Sequence, residues 1–210
     1  MQQIKGYNIK TAAKALKEAK TAMIMIHGRG GTAENILSLT EKFEHPEIHF
    51  IAPQAPGNTW YPNSFLAPIL QNEPGITSGI QIIQNLAAYL EEHGIKHDKI
   101  FFLGFSQGAC LALEFAARNA KKWGGIFGLS GGLIGPENTP RNYPGTLEGT
   151  PVFLGCSDED PHIPLQRVHE SKKVFEKMQA KVTERIYPGM PHTIIQDEID
   201  FVKDVLSLDF

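Results

Sequence analysis

Two cysteines in 210 residues are too few for a disulfide framework, and without a Cys-x-x-Cys pair a cysteine-based metal site is excluded. Cys110 and Cys156 read instead as buried reduced thiols. No apolar run approaches the ~20 residues of a membrane span, and the opening Met1–Lys20, with lysines scattered through it, lacks the apolar core of a secretory signal. A cytoplasmic protein without stable membrane insertion is expected. Charge of one sign is also missing: the net value is −3, which gives no reason to expect nucleic acid as a partner. Internal repeats and low-complexity tracts are absent. The glycine-rich turn His27-Gly-Arg-Gly-Gly has neither the Lys-Ser/Thr ending of a phosphate-binding loop nor the GxGxxG spacing of a dinucleotide site. What remains is 41% hydrophobic and 20% charged, an ordinary globule long enough for one substantial core, so a single domain over residues 1–210 is expected.

Short apolar runs at Ala22–Ile26, Ile48–Ala52, Ile100–Phe105, Gly125–Leu129, Val152–Cys156 and Val182–Tyr187 have the length of buried parallel strands. Helical patterns fall between most of them, at Thr32–Phe43, Ser78–His93 with Gly94 as its C-cap, Ser106–Asn119, Leu165–Ala180 and Gln196–Leu208. This alternation predicts an α/β fold with a mostly parallel sheet covered by helices on both faces. Pro53–Gly75 and Gly131–Gly149 break the pattern and read as loops at the carboxyl ends of strands, where such sheets bind ligands. The second loop is too short and too rich in turn formers to be a separate lid domain.

The chemistry is concentrated in Gly104-Phe-Ser-Gln-Gly108, which joins an apolar strand to a helical pattern. A serine at the tip of such a turn adopts a strained backbone, and its close neighbours Gly104 and Gly108 read as glycines that tolerate positive φ and add no Cβ. A serine hydroxyl also needs a histidine to take its proton and a carboxylate to orient that histidine. After the strand Val152–Cys156 come Asp158, Glu159 and Asp160; after Val182–Tyr187 comes His192, in the loop Pro-Gly-Met-Pro-His-Thr. The order serine, acid, histidine is the one found in α/β-hydrolases. The backbone N–H of Gln107, at the start of the helix, would point toward an oxyanion, and the first glycine-rich turn lies in the place where α/β-hydrolases contribute the second oxyanion N–H, which makes Arg29 the candidate there. Trp60, Tyr61, Phe65 and Leu66, together with Leu133 and Ile134, are candidates to line the site, each with loop anchoring as the competing role. The Arg29 side chain has two readings, a clamp for an anionic substituent and a structural ion pair. Asp158, Asp160 and His162 form a DxDxH string, but Pro161 and Pro164 argue against a continued strand that would align them for a metal.

HGRGG, Thr59–Phe65 (TWYPNSF), GFSQGA, SDEDPHIP and PHTI, in this order over most of the chain, resemble the phospholipase/carboxylesterase family of α/β-hydrolases, which includes the acyl-protein thioesterases and the MhqD-like hydrolases. HGRGG replaces the HGLGD-type sequence of the thioesterases and Trp60-Tyr61-Pro62 their usual tryptophan segment, which brings the chain nearer the MhqD-like branch. The resemblance implies Ser106 as nucleophile, Asp160 in its Asp-Pro-x-Ile-Pro context as the acid, His192 as the base, Arg29 and Gln107 as oxyanion donors, and no cofactor. It implies a small-molecule ester as substrate, of short to medium acyl or aromatic type, extending to thioesters and lysophospholipids, and it admits a homodimer. Two other readings are a dienelactone-hydrolase-like enzyme, whose usual cysteine nucleophile is Ser106 here, and a non-catalytic binding protein of the same fold.

Overall fold

The computed structural model describes residues 2–207. Eight strands form one sheet: β1 (Gln2–Ile4), β2 (Tyr7–Ala13), β3 (Thr21–Ile26), β4 (Ile48–Pro53), β5 (Ile100–Phe105), β6 (Gly125–Leu129), β7 (Pro151–Ser157) and β8 (Lys181–Tyr187). Their order is β1-β2-β4-β3-β5-β6-β7-β8. The β1–β2 and β2–β4 pairs are antiparallel and the rest parallel. Helices α1 (Ala33–Leu37), α2 (Thr40–Phe43), α3 (Gly75–Glu92), α4 (Gln107–Arg118), α5 (Leu165–Lys177) and α6 (Gln196–Ser207) cover the sheet. The mostly parallel sheet predicted from the strand–helix alternation is the one observed; the sequence-predicted extension of the last helix to Leu208 lies outside the described residues.

Alternation along the central strands divides the core. Ile24 and Ile26 of β3 and Phe102 of β5 join the cluster under α3, α4 and α5, while Met23, Met25, Phe101 and Leu103 join the one under α1, α2 and α6. Strands buried on both faces are continuous apolar runs, which is why these were legible.

Three expectations are corrected. The antiparallel β1 and β2 add to the predicted strands: β2 is an amphipathic segment, with Ile9 fully buried, Lys10 partly exposed and Thr11 exposed. The single helix expected over Thr32–Phe43 is two. Thr32 and Asn35 form a reciprocal cap at its start. Then the Ser38 hydroxyl donates to the Asn35 carbonyl and the Thr40 hydroxyl to that of Leu37, both at 2.8 Å, and hydroxyls that bond back to the main chain in this way interrupt a helix. The helix expected to reach Ala180 stops at Lys177, because Gln179 turns left-handed (φ 62°) and Ala180 N–H closes back on the Phe175 carbonyl at 3.0 Å, a C-terminal closure usually made by glycine. Among the described residues, no helix is long and apolar enough to cross a membrane.

Candidate active site

Ser106 sits between β5 and α4 with φ 54° and ψ −118°, a conformation that L-residues rarely adopt. The flanking glycines answer a different need. Neither has positive φ; a Cβ at Gly104 would overlap the Gly108 carbonyl, and one at Gly108 would overlap the carbonyl of Ile26. The strain is carried by the serine, and the glycines let α4 sit against the ends of β5 and β3.

The Ser106 hydroxyl lies 2.8 Å from His192 Nε2, and His192 Nδ1 lies 2.7 Å from Asp160 Oδ2. The Asp160 carboxylate is fully buried. Burial alone would raise its pKa, but hydrogen bonds from His192 and from the backbone N–H groups of His162 (2.8 Å) and Ile163 (3.0 Å) hold it below the ordinary carboxylate value. An ionised Asp160 requires a proton on Nδ1, which leaves Nε2 free to accept from Ser106. Asp158 does something else: its Oδ1 accepts the Gly189 N–H at 2.8 Å and so fixes the loop that carries His192. Glu159 is exposed. Among the described residues, no group of three His, Cys, Asp or Glu side chains could hold a metal ion.

The Gly28–Arg29 turn packs against the Ser106 turn so closely that a Cβ on Gly28 would stand 3.3 Å from both Phe105 and Ser106. Its orientation depends on His27, whose role no sequence motif marks. Ala55 N–H donates to His27 Nε2 at 3.1 Å, so the proton is on Nδ1, which donates to the Gly28 carbonyl at 2.7 Å. Burial lowers the pKa of His27 and favours this neutral form. In a planar trans peptide the N–H of Arg29 points opposite the Gly28 carbonyl, away from His27.

A cleft of about 420 Å³ opens beside Ser106. Tyr61 and Phe65 line it, together with Phe105, Cys110, His162 and Ile163. Trp60 and Leu66 do not. The Trp60 indole N–H needs a partner when buried and finds the His27 carbonyl at 2.8 Å, beneath the turn; Leu66 packs on the core. Leu133 and Ile134 are fully buried and are held away from the cleft through their N–H groups, which donate to Ser171 and Glu114. Among the described residues Arg29 is not in an ion pair. Its guanidinium donates to Thr59 Oγ1 (3.1 Å) and to the carbonyls of Pro62 (2.9 Å) and Asn63 (2.6 Å), strapping down the cleft wall. The Gln107 side chain does the same from below, accepting from Trp60 N–H and donating to the Tyr61 carbonyl, both at 2.8 Å. Burial pushes the Cys110 thiol up to about 12, which keeps this cleft-lining sulfur protonated and a poor nucleophile.

A strand-to-helix serine turn on a mostly parallel sheet, with a loop-borne histidine and acid brought to it from the last two strands, defines the α/β-hydrolase class. The chain belongs to the phospholipase/carboxylesterase family, which it matches over residues 8–209, and it is a hydrolase that acts on esters. It is similar to acyl-protein thioesterase 1 of Kluyveromyces lactis, with 30% identity over 95% of this chain and 98% of that protein. The Saccharomyces cerevisiae thioesterase of the same name is 29% identical at the same coverage. Among solved structures, a phospholipase/carboxylesterase from Dyadobacter fermentans is 46% identical with a TM-score of 0.92, covering 95% of this chain and 96% of that one. Esterase PE8, 23% identical with a TM-score of 0.82 over 97% of this chain and 99% of that one, shares the fold.

Proposed function

We propose that the chain hydrolyses small-molecule carboxylic esters, and thioesters of similar size, in two steps through an acyl-enzyme on Ser106. The observation that carries this reading is the continuous hydrogen-bond chain from Ser106 Oγ through His192 to Asp160, at 2.8 and 2.7 Å. His192 takes the serine proton as Oγ attacks the acyl carbonyl, then delivers it to the departing alcohol or thiol; water activated by the same imidazole releases the acid. Asp160 holds the imidazole in the required tautomer and stabilises it when charged. The N–H groups of Arg29 and Gln107 stabilise the oxyanion. The Gln107 N–H is at the first turn of α4 and has no partner within the helix; that of Arg29 is oriented by the bond from His27 to the preceding carbonyl. A cleft of about 420 Å³ lined by Tyr61, Phe65 and Cys110 suits short to medium acyl chains and aromatic acyl groups.

The test is a series of p-nitrophenyl esters of increasing acyl length plus one thioester, given to the purified protein and to Ser106→Ala, with fluorophosphonate labelling alongside. Turnover and labelling are expected in the wild type, with turnover falling by on the order of a thousandfold or more in the variant. Equal rates in both proteins, or a folded wild type that does not label, would remove Ser106 from the mechanism.

A further inference from the structure

A second depression of about 230 Å³ lies on the other side of the Gly28–Arg29 turn, and it shares Gly28, Arg29 and Phe105 with the catalytic cleft. The two hollows therefore share Gly28, Arg29 and Phe105, the residue before Ser106, as a common border. Ile36 of α1, Leu39 just beyond it, and Ile194, two residues after His192, form its walls.

Most of the polar groups at its margin already have partners. Both His27 ring nitrogens are bonded, to Gly28 and Ala55. Asn35 Oδ1 accepts from Thr32 N–H and from the Thr32 hydroxyl, each at 3.0 Å. The Arg29 guanidinium is held on the cleft side by Thr59, Pro62 and Asn63. The groove thus offers a ligand apolar side chains, whereas the cleft also carries Asn63, Ser64 and His162.

We propose that this groove is a second substrate subsite, holding the apolar body of the departing alcohol or thiol while the cleft holds the acyl group. The assignment of halves rests on the ester-hydrolase reading above and follows from connectivity. The two substituents of a carbonyl under attack leave the reacting carbon in different directions. The half bound covalently to Ser106 belongs in the cavity that Ser106 and His192 themselves line, which is the cleft. Ser106 and His192 do not line the groove, so only a group extending past the first atoms of the leaving half reaches it. The fitting substrates are esters of benzyl, naphthyl or medium-chain alcohols rather than methyl esters.

The experiment compares methyl, hexyl, benzyl and 2-naphthyl butyrate, followed by proton release, in the wild type, Leu39→Trp and Leu39→Ala. Filling the groove in Leu39→Trp should lower the benzyl-to-methyl ratio of kcat/KM about tenfold or more, the discrimination expected of an apolar pocket. Leu39→Ala, which adds no bulk, should move preference toward 2-naphthyl butyrate. A parallel series of methyl esters from acetate to octanoate should keep its chain-length profile in both variants. If the benzyl-to-methyl ratio is unchanged in both variants, the groove is not a subsite; if the acyl series moves instead, the halves are reversed and the proposal fails in that form. Turnover that survives Ser106→Ala would instead discredit the underlying hydrolase mechanism, so the two failures are distinguishable.

Discussion

At the scale of single residues, neighbouring carboxylates have different duties because of their hydrogen-bond partners. Asp160 is buried, ionised and aimed at His192; Asp158 is exposed and caps the Gly189 N–H of the loop that carries His192. Asp160→Asn should lower kcat by on the order of a thousandfold, since an amide can present its donor to Nδ1 and so favour the wrong tautomer. Asp158→Asn should stay within about tenfold, because an amide oxygen still accepts from Gly189. Steady-state kinetics on one p-nitrophenyl ester tests this, and the reverse ranking would exchange the two roles. The sequence singled out both aspartates, since each follows a strand and precedes proline-rich chain. It could not rank the aromatics: Trp60 and Tyr61 are adjacent in an irregular loop with no periodicity, and only the reach of the indole N–H to the His27 carbonyl separates an anchor from a cleft wall. His27 was passed over because a lone histidine before glycines carries no pattern; its role depends on Ala55, which is distant in sequence.

At the scale of elements, central strands and long helices were legible because burial on both faces and 3.6-residue spacing leave strong patterns, while the edge strands and the interrupted helix at Ser38 depend on pairing and hydroxyl bonds. Helix α6 carries a further feature of this kind. Glu198, in its first turn, is fully buried; its Oε2 accepts the Ile195 N–H at 3.1 Å and its Oε1 has no partner. Burial pushes its carboxyl from 4.5 up to about 7. The folded chain therefore keeps a proton that the unfolded chain releases, and the associated stability is full below about pH 4.5 and lost as pH rises through about 7. At roughly 1.4 kcal/mol per pH unit, the difference is about 3 kcal/mol. Glu198→Gln retains an acceptor for Ile195 without the charge, so urea unfolding at pH 5 and pH 8 should show the wild type losing more stability than the variant by an amount of this order. Parallel profiles for the two proteins would mean that Glu198 ionises freely in the folded state.

At the scale of the molecule, the site is assembled from segments between Gly28 and His192, and side chains join several of them to one another. Glu114 of α4 accepts the Ile134 N–H at 3.0 Å and the Tyr143 hydroxyl at 3.1 Å, and Arg167 of α5 donates to the carbonyls of Leu133 and Gly135, so the long loop after β6 is tied to two helices. Beside the cleft, Thr59 is the shared point, accepting from Arg29 at 3.1 Å and donating to Gln107 at 3.4 Å. Arg29 follows the first parallel strand of the sheet and Gln107 opens the helix after Ser106, so both places that supply the proposed oxyanion donors also hold the cleft wall with their side chains. If the wall is ordered by the two together, losing either strap releases part of what the other orders. Arg29→Ala and Gln107→Ala should each raise KM, because truncating the side chains leaves both backbone N–H groups in place while the Thr59–Asn63 segment loosens. Their effects on stability in urea should be less than additive, by about 1 kcal/mol in the double variant, a coupling expected of residues sharing one network. Additivity within about 0.4 kcal/mol would mean that the two straps act on the wall independently. The ratio of activity on anionic and neutral esters should be unchanged in Arg29→Ala, since its guanidinium is already engaged by Thr59, Pro62 and Asn63.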